Sequence, residues 1–255
     1  MTRRTAAALL VCTASTAFVS AQDADAGFDT DLDSSARLDL SLRKAQYHLF
    51  NPTPKELRRP LASDRPDLTE NPITVDAGAF QIESSFFQYT YNDVGGVETD
   101  TFEVLPSNFK VGLTNDIDLQ LVWTPYVNVQ NRPGADDDGV SDLQIRLKVN
   151  IWGNDSDGPT AFGFLPFITL PTGSDGISAD EVEGGFLLPF TADLSGIAWE
   201  GLGLGAQVGF EWVNAEGRSG NDGTDAVFSH TTVLGQSLTD SLSYYLEYAG
   251  SVTID

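Results

Sequence analysis

An all-β, antiparallel up-and-down transmembrane β-barrel is the fold class this sequence predicts, and three observations predict it. Apolar and polar residues alternate along segments mostly longer than the five or six residues usual in soluble sheets. Long connections rich in Gly and Asp mostly alternate with tight turns, the connection 152–159 being intermediate. Aromatic residues collect near segment ends, at Tyr89, Tyr91, Trp152, Trp199, Trp212, Tyr244 and Tyr245.

The first residues, 1–21, read as an export leader. Arg3 and Arg4 make a positive start, Thr5 to Val19 are small and apolar, and Val19-Ser20-Ala21 suits cleavage before Gln22. Cys12 follows Val11, where lipid attachment would want a small residue, so lipidation is not expected. Cleavage would remove that single cysteine and with it disulfides, thiol chemistry and cysteine metal sites. It would also remove two of the 14 basic residues and none of the 37 acidic ones, moving the formal charge from −23 to −25. Such a chain offers no basic footprint for nucleic acid. Outside the leader no run of about 18 apolar residues occurs, so no spanning helix is expected. An exported soluble protein or a β-barrel remains.

Residues 22–78 read as an irregular periplasmic lead-in, a strap. Asp23, Asp25, Asp29, Asp31 and Asp33 make it acidic, and 36–50 allow a short helix. Pro52, Pro54, Pro60, Pro66 and Pro72 then interrupt regular structure.

From Ala79 the period is two, and 79–255 reads as the barrel domain. In 117–130 the odd positions are apolar (Ile117, Leu119, Leu121, Trp123, Pro125, Val127, Val129) and the even ones mostly polar. In 143–151 Leu143, Ile145, Leu147, Val149 and Ile151 oppose Gln144, Arg146, Lys148 and Asn150. The segments 79–91, 101–113, 160–170, 182–194, 201–214, 226–237 and 241–254 read similarly, nine strands in all. The connections "NRPGADDDGV", "PTGSDGISADE" and "AEGRSGNDGTD" are long, and "TND" and "LTD" are tight. A soluble β-sandwich also alternates. The length of the strands and the small, neutral character of their polar faces favour a barrel. Lipid cannot hydrogen-bond a backbone, so a spanning sheet closes and turns its apolar face outward. On that assignment Leu121→Arg and Leu147→Arg should harm assembly and Gln120→Arg should be mild.

The stretches "SDRPDLTENPITVDAGAFQIE", "PSNFKVGLTNDIDLQL", "SDLQIRLKVNIWGND", "LPTGS" and "VEGGFLLPF" resemble the transporter-like outer-membrane family labelled "MetA-pathway of phenol degradation, putative". The resemblance runs from about Arg59 onward. It implies an outer-membrane barrel of a diderm bacterium and passage of small solutes, aromatic or hydrophobic compounds among them. The chain stops at "SVTID" within or just after the ninth strand, with Asp255 last. Single-chain bacterial barrels normally have an even strand number. The expectation is therefore C-terminal truncation of a barrel of 10–12 strands.

The polar faces nominate lumen-lining residues: Glu83, Lys110, Gln120, Gln144, Arg146, Lys148, Asn150, Gln207 and Glu211. Arg146 and Lys148 form a positive ladder, expected to face Glu83, Glu211 or Glu247. A constriction selecting solutes by charge and size, or a salt-bridged filling of a narrow barrel, are both open readings. Asp136-Asp137-Asp138 and Asp175/Asp180/Glu181 lack calcium-loop spacing and read as solvated loop tips. His48 lies in the strap and His230 on a strand with Ser229 on the opposite face, which suits no hydrolase triad. No catalytic residue, metal or cofactor is expected. The expected partners are outer-membrane lipid, a small-molecule solute and the outer-membrane assembly machinery. The alternatives to a channel or transporter are a closed structural or adhesive barrel and a secreted soluble β-sandwich that binds ligands.

Overall fold

The computed structural model describes residues 9–11, 40, 42–65, 67–94, 96–155, 158–214, 223–239 and 242–254. Most of the leader and most of the 215–225 connection lie outside the described residues. The strands are β1 (Leu9–Val11), β2 (Phe80–Ser84), β3 (Phe87–Val94), β4 (Val97–Val104), β5 (Ser107–Gly112), β6 (Ile117–Trp123) and β7 (Tyr126–Arg132). They continue with β8 (Asp136–Gly139), β9 (Leu143–Trp152), β10 (Thr160–Leu170), β11 (Glu183–Asp193), β12 (Leu202–Asn214), β13 (Thr224–Thr239) and β14 (Leu242–Ile254).

All pairings between these strands are antiparallel, and each pass of the chain pairs with the next. The main sheet has ten strands in the order β1-β14-β13-β12-β11-β10-β9-β6-β5-β2. β2 and β14 do not pair with each other among the described residues, and the outer edge of β14 carries β1.

The first three of the nine expected passes are each broken in two, and the fourth, 143–151, is whole but preceded by a short strand, β8, within the expected connection 131–140. The breaks fall at Ser85-Phe86, Leu105-Pro106 and Thr124-Pro125, with 140–142 between β8 and β9, so β3, β4, β7 and β8 form a second, four-stranded sheet. The breaks are neighbours in space: Ser107 opposes both Ser84 and Trp123 on one side, and Val104 opposes both Phe87 and Tyr126 on the other. Pro106 and Pro125 have no N–H to give a ladder, and Leu105 takes a left-handed φ of 53°. Thr124 and Ser141 bridge one break, the Ser141 N–H donating to the Thr124 carbonyl at 3.0 Å. Passing Pro125 also changes faces. Val127 is buried and Tyr126 exposed, so the single oily face expected along 117–130 ends at Trp123.

The main sheet is inverted relative to a soluble protein. Phe80, Ile82, Phe109, Leu121, Val208, Phe228, Leu234 and Leu246 are exposed, whereas Gln81, Glu83, Lys110, Gln120, Lys148, Asn150, Gln207, Thr231 and Glu247 are buried. Alternation on each strand delivers its polar set to one side and its apolar set to the other. Water-soluble folds bury the apolar set.

Candidate functional site

What buries the polar face is the strap. It meets the sheet at the end where the tight turns lie. There Lys44 Nζ sits 2.7 Å from both Asp76 Oδ1 and Asp155 Oδ1, and Arg59 Nη1 donates to Asp155 Oδ2 at 3.0 Å and to Asn115 Oδ1 at 2.9 Å. Burial opposes the charge on Asp155, but Arg59 and Lys44 outweigh it and hold the carboxyl below its usual range. The strap then runs along the polar face. Arg65 reaches the breaks between the sheets, donating to Ser85 Oγ at 3.2 Å and the Pro106 carbonyl at 3.3 Å. It returns through Pro72, whose carbonyl accepts from Asn150 Nδ2 at 2.9 Å, and Thr74, whose N–H donates to Asn154 Oδ1 at 3.1 Å. Ala77 bridges in parallel to Gly112. A Cβ on Gly112 would stand 2.0 Å from the Asp76 carbonyl oxygen, so only glycine admits the strap backbone this close.

Midway, the strap supplies the counter-charges for the sheet. Lys148 Nζ lies 2.8 Å from both Asp64 carboxylate oxygens, Lys110 bonds Asp64 and also Glu83 Oε1 at 2.7 Å, and Arg146 Nη1 donates to Glu70 Oε1 at 2.5 Å. Burial works against the charge on Asp64, yet the two ammonium groups outweigh it and hold the carboxyl well below the usual range. Burial, joined by the charge of Asp64, pushes the Glu70 carboxyl up to about 7. The strap also reaches the far strands. Glu247 accepts the N–H groups of Leu68 (2.9 Å) and Thr69 (2.9 Å) and the Thr69 hydroxyl (2.6 Å), and Gln207 Oε1 accepts the Glu70 N–H at 3.0 Å.

Of the nominated residues, Glu83, Lys110, Gln120, Lys148, Asn150 and Gln207 are buried, and Gln144, Arg146 and Glu211 are half-buried. Lys110, Gln120, Arg146 and Lys148 stand on neighbouring strands. The partners expected for the positive ladder are corrected: Arg146 and Lys148 take Glu70 and Asp64 from the strap, Glu83 belongs to Lys110, and Glu247 to strap backbone. The mildness expected of Gln120→Arg is corrected too. Gln120 is fully buried, accepts from Asn108 Nδ2 at 3.0 Å and donates to Asp118 Oδ1 at 2.9 Å, bonds that a longer cation there would have to displace. Tyr245 does not stand with the boundary aromatics. It shares the side of Glu247 and lines a cavity of about 540 Å³ together with strap residues Asp67, Thr69, Glu70 and Asn71. The sequence reading missed Asp64 and Glu70 as site residues. A buried wall lysine demands a carboxylate, but nothing local says which one.

His230 packs between the rings of Phe228 and Tyr248, with centroids at 6.1 and 5.6 Å. Among the described residues no group of three or more His, Cys, Asp or Glu is arranged to hold a metal ion. Asp142 organises the 171–181 connection, accepting from the N–H groups of Gly173 (2.7 Å) and Ala179 (2.9 Å).

Among solved structures, the chain is similar to Pseudomonas aeruginosa OccK7 (OpdD) with 11% identity over 70% of this chain and 55% of that one, at a TM-score of 0.29. It is similar to Pseudomonas aeruginosa OpdL with 13% identity over 69% and 58%, at 0.30, and to OccK10 (OpdN) of the same organism with 6% over 66% and 73%, at 0.30. The chain spans little more than half the length of the first two, and superposition this loose transfers no pore geometry. No curated protein matches the chain. The model of the family described as "Putative MetA-pathway of phenol degradation" matches residues 63–254, from the middle of the strap through the last strand, and the chain belongs to that family.

Proposed function

We propose that the chain is an outer-membrane β-barrel channel for small solutes, and that its lumen is the polar face now occupied by the strap. One observation carries this reading: the wide sheet buries Lys110, Gln120, Lys148 and Glu247 while exposing Phe80, Ile82, Leu121 and Leu246. Hydrocarbon accepts that outer surface and water does not. Such a wall is laid into the outer membrane by the assembly machinery and rests against lipid. Lipid also requires that the outer edges of β2 and β14 be paired in the functional unit, since an open strand edge is not tolerated there.

The solute path requires the strap to leave its seat, because Asp64, Thr69 and Glu70 bridge from the β5–β9 side to the β12–β14 side. The strap is an irregular chain held mainly by side-chain bonds, which makes it separable from a ladder-bonded wall. The family description favours small aromatic compounds as solutes. The buried ion pairs of the strap favour a second reading, a permanently closed structural barrel. Reconstitution into planar lipid bilayers decides between them: discrete current steps support the channel, and an inserted but silent protein supports the closed barrel.

A further inference from the structure

The polar face is electrically divided. Its basic residues, Lys110, Arg146 and Lys148, lie on β5 and β9, and each meets a carboxylate of the strap or of β2. On the β11–β14 side the carboxyls of Asp67, Asp193 and Glu247 have no basic group within ion-pair distance among the described residues. Glu247 is satisfied by strap N–H groups, and Asp193 Oδ1 accepts the Ser195 N–H at 2.9 Å. Among the described residues Asp67 has neither a cation nor a side-chain donor from another residue, and burial pushes its carboxyl up to about 6.

Asp67 and Asp193 border a hollow that missing side chains keep open. Gly203 and Gly235 oppose each other across β12 and β13. A Cβ on Gly203 would find its nearest neighbour at 4.0 Å and one on Gly235 at 3.9 Å, and neither residue has a left-handed backbone. Neither chain conformation nor crowding calls for glycine at these two positions. Their effect is the empty volume above them. The contrast is Gly205, where a Cβ would strike Val233 at 2.6 Å. The cavity measures about 540 Å³ and has Tyr245 and Val233 beside the glycine pair and Asp67, Glu70 and Asp193 around it. That volume falls within the roughly 300–1,000 Å³ of small-molecule sites. No Lys or Arg lines it.

We propose that this cavity binds a small organic amine, its ammonium between the carboxyls of Asp67 and Asp193 and its apolar body on the glycine pair beside Tyr245. An ammonium supplies the counter-charge that this side of the polar face lacks. A ring or short alkyl chain covers backbone that has no side chain of its own to cover it. Tyr245 adds an aromatic face, favourable to a cation. The proposal deepens the channel reading, on which it rests for its biological sense, by naming the class of solute.

The test is calorimetric titration of the folded full chain in detergent micelles with phenethylamine. Its uncharged counterpart, 2-phenylethanol, and its anionic counterpart, phenylacetate, are titrated alongside. Saturable phenethylamine binding is expected, weaker by about tenfold or more for 2-phenylethanol, as loss of one partner of a desolvated charge pair requires. Phenylacetate should not bind. Gly203→Leu, which fills the hollow, and Asp67→Asn, which removes the unpaired carboxyl and keeps its shape, should each weaken phenethylamine by about tenfold or more. Heat-modifiable gel mobility confirms that each variant is folded. Absence of saturable binding, equal affinity for the alcohol, or undiminished binding in either folded variant overturns the site. Amine binding by a protein that passes no current would retain the site and remove the channel. Current without amine binding would do the reverse.

Discussion

Lys148 Nζ lies 2.8 Å from each carboxylate oxygen of Asp64, joining strand β9 to a strap residue 84 positions earlier, and both side chains are almost wholly shielded from solvent. A buried pair of this kind contributes little over an apolar substitute but is costly to halve. Its significance here is positional, because Asp64 also takes Lys110 and therefore ties two strands to the strap at once.

Asp64→Ala should leave two buried ammonium groups without their shared partner, at a cost of about 3–5 kcal/mol to strap docking. The check is chymotrypsin cleavage after Leu68, which lies in the strap. Rapid cleavage in the variant and protection in the parent are expected. Equal protection would mean that the strap is held by something other than this cluster.

The outward face is tested at Leu121, which is exposed between Phe109 and Ile145 on the neighbouring strands. Leu121→Arg places a charge toward lipid and should cost about 2–4 kcal/mol near mid-depth. Leu121→Ala controls for lost volume. The measurement is the fraction of each variant that reaches the heat-resistant folded form in lipid vesicles. A large deficit is expected for arginine alone, and equal recovery of the two would put Leu121 on a wet surface.

Alternation made much of this fold legible before any coordinates. The runs 143–151 and 201–214 keep one apolar and one polar side from end to end, and β9 and β12 follow them. The breaks were signalled by Pro106 and Pro125 inside apparent strands, yet a period count tolerates one proline in an apolar slot. Of the site, the wall residues could be read because their periodicity is local. The strap could not, because its anchors are backbone N–H groups of Leu68 and Thr69 meeting Glu247 178 to 179 residues away. Such contacts leave no period, and prolines that forbid helix and strand say nothing about where the chain then lies.

Acidity should tighten the strap. A carboxyl raised above its unfolded value contributes stability that is complete below that unfolded value and is lost as pH rises through the folded one. Asp67, facing Glu247, Asp64 and Glu83, is raised to about 6, and Glu70, between Asp64, Arg146 and Lys148, to about 7. Their joint contribution therefore fades as pH rises through 6 to 7. Asp64 is held low and has the opposite sense, losing its contribution only in strong acid. Hydrogen exchange at the Leu68 and Thr69 amides, corrected for intrinsic rates, should show greater protection at pH 5 than at pH 8. Greater protection at pH 8 would contradict the assignment.

The most direct measurement of the central claim is single-channel current through a strap that can be locked. Thr69 Oγ1 and Thr231 Oγ1 are 2.7 Å apart, one on the strap and one on β13, so Thr69→Cys with Thr231→Cys, in a chain also carrying Cys12→Ala, offers a short crosslink. The oxidised double variant should insert into a planar bilayer and stay silent, and reductant should restore the current steps of the parent. Equal current before and after reduction, with the crosslink verified, would show that solutes do not need the strap to move. Silence of the reduced variant and of the parent alike would show that this wall encloses no pore.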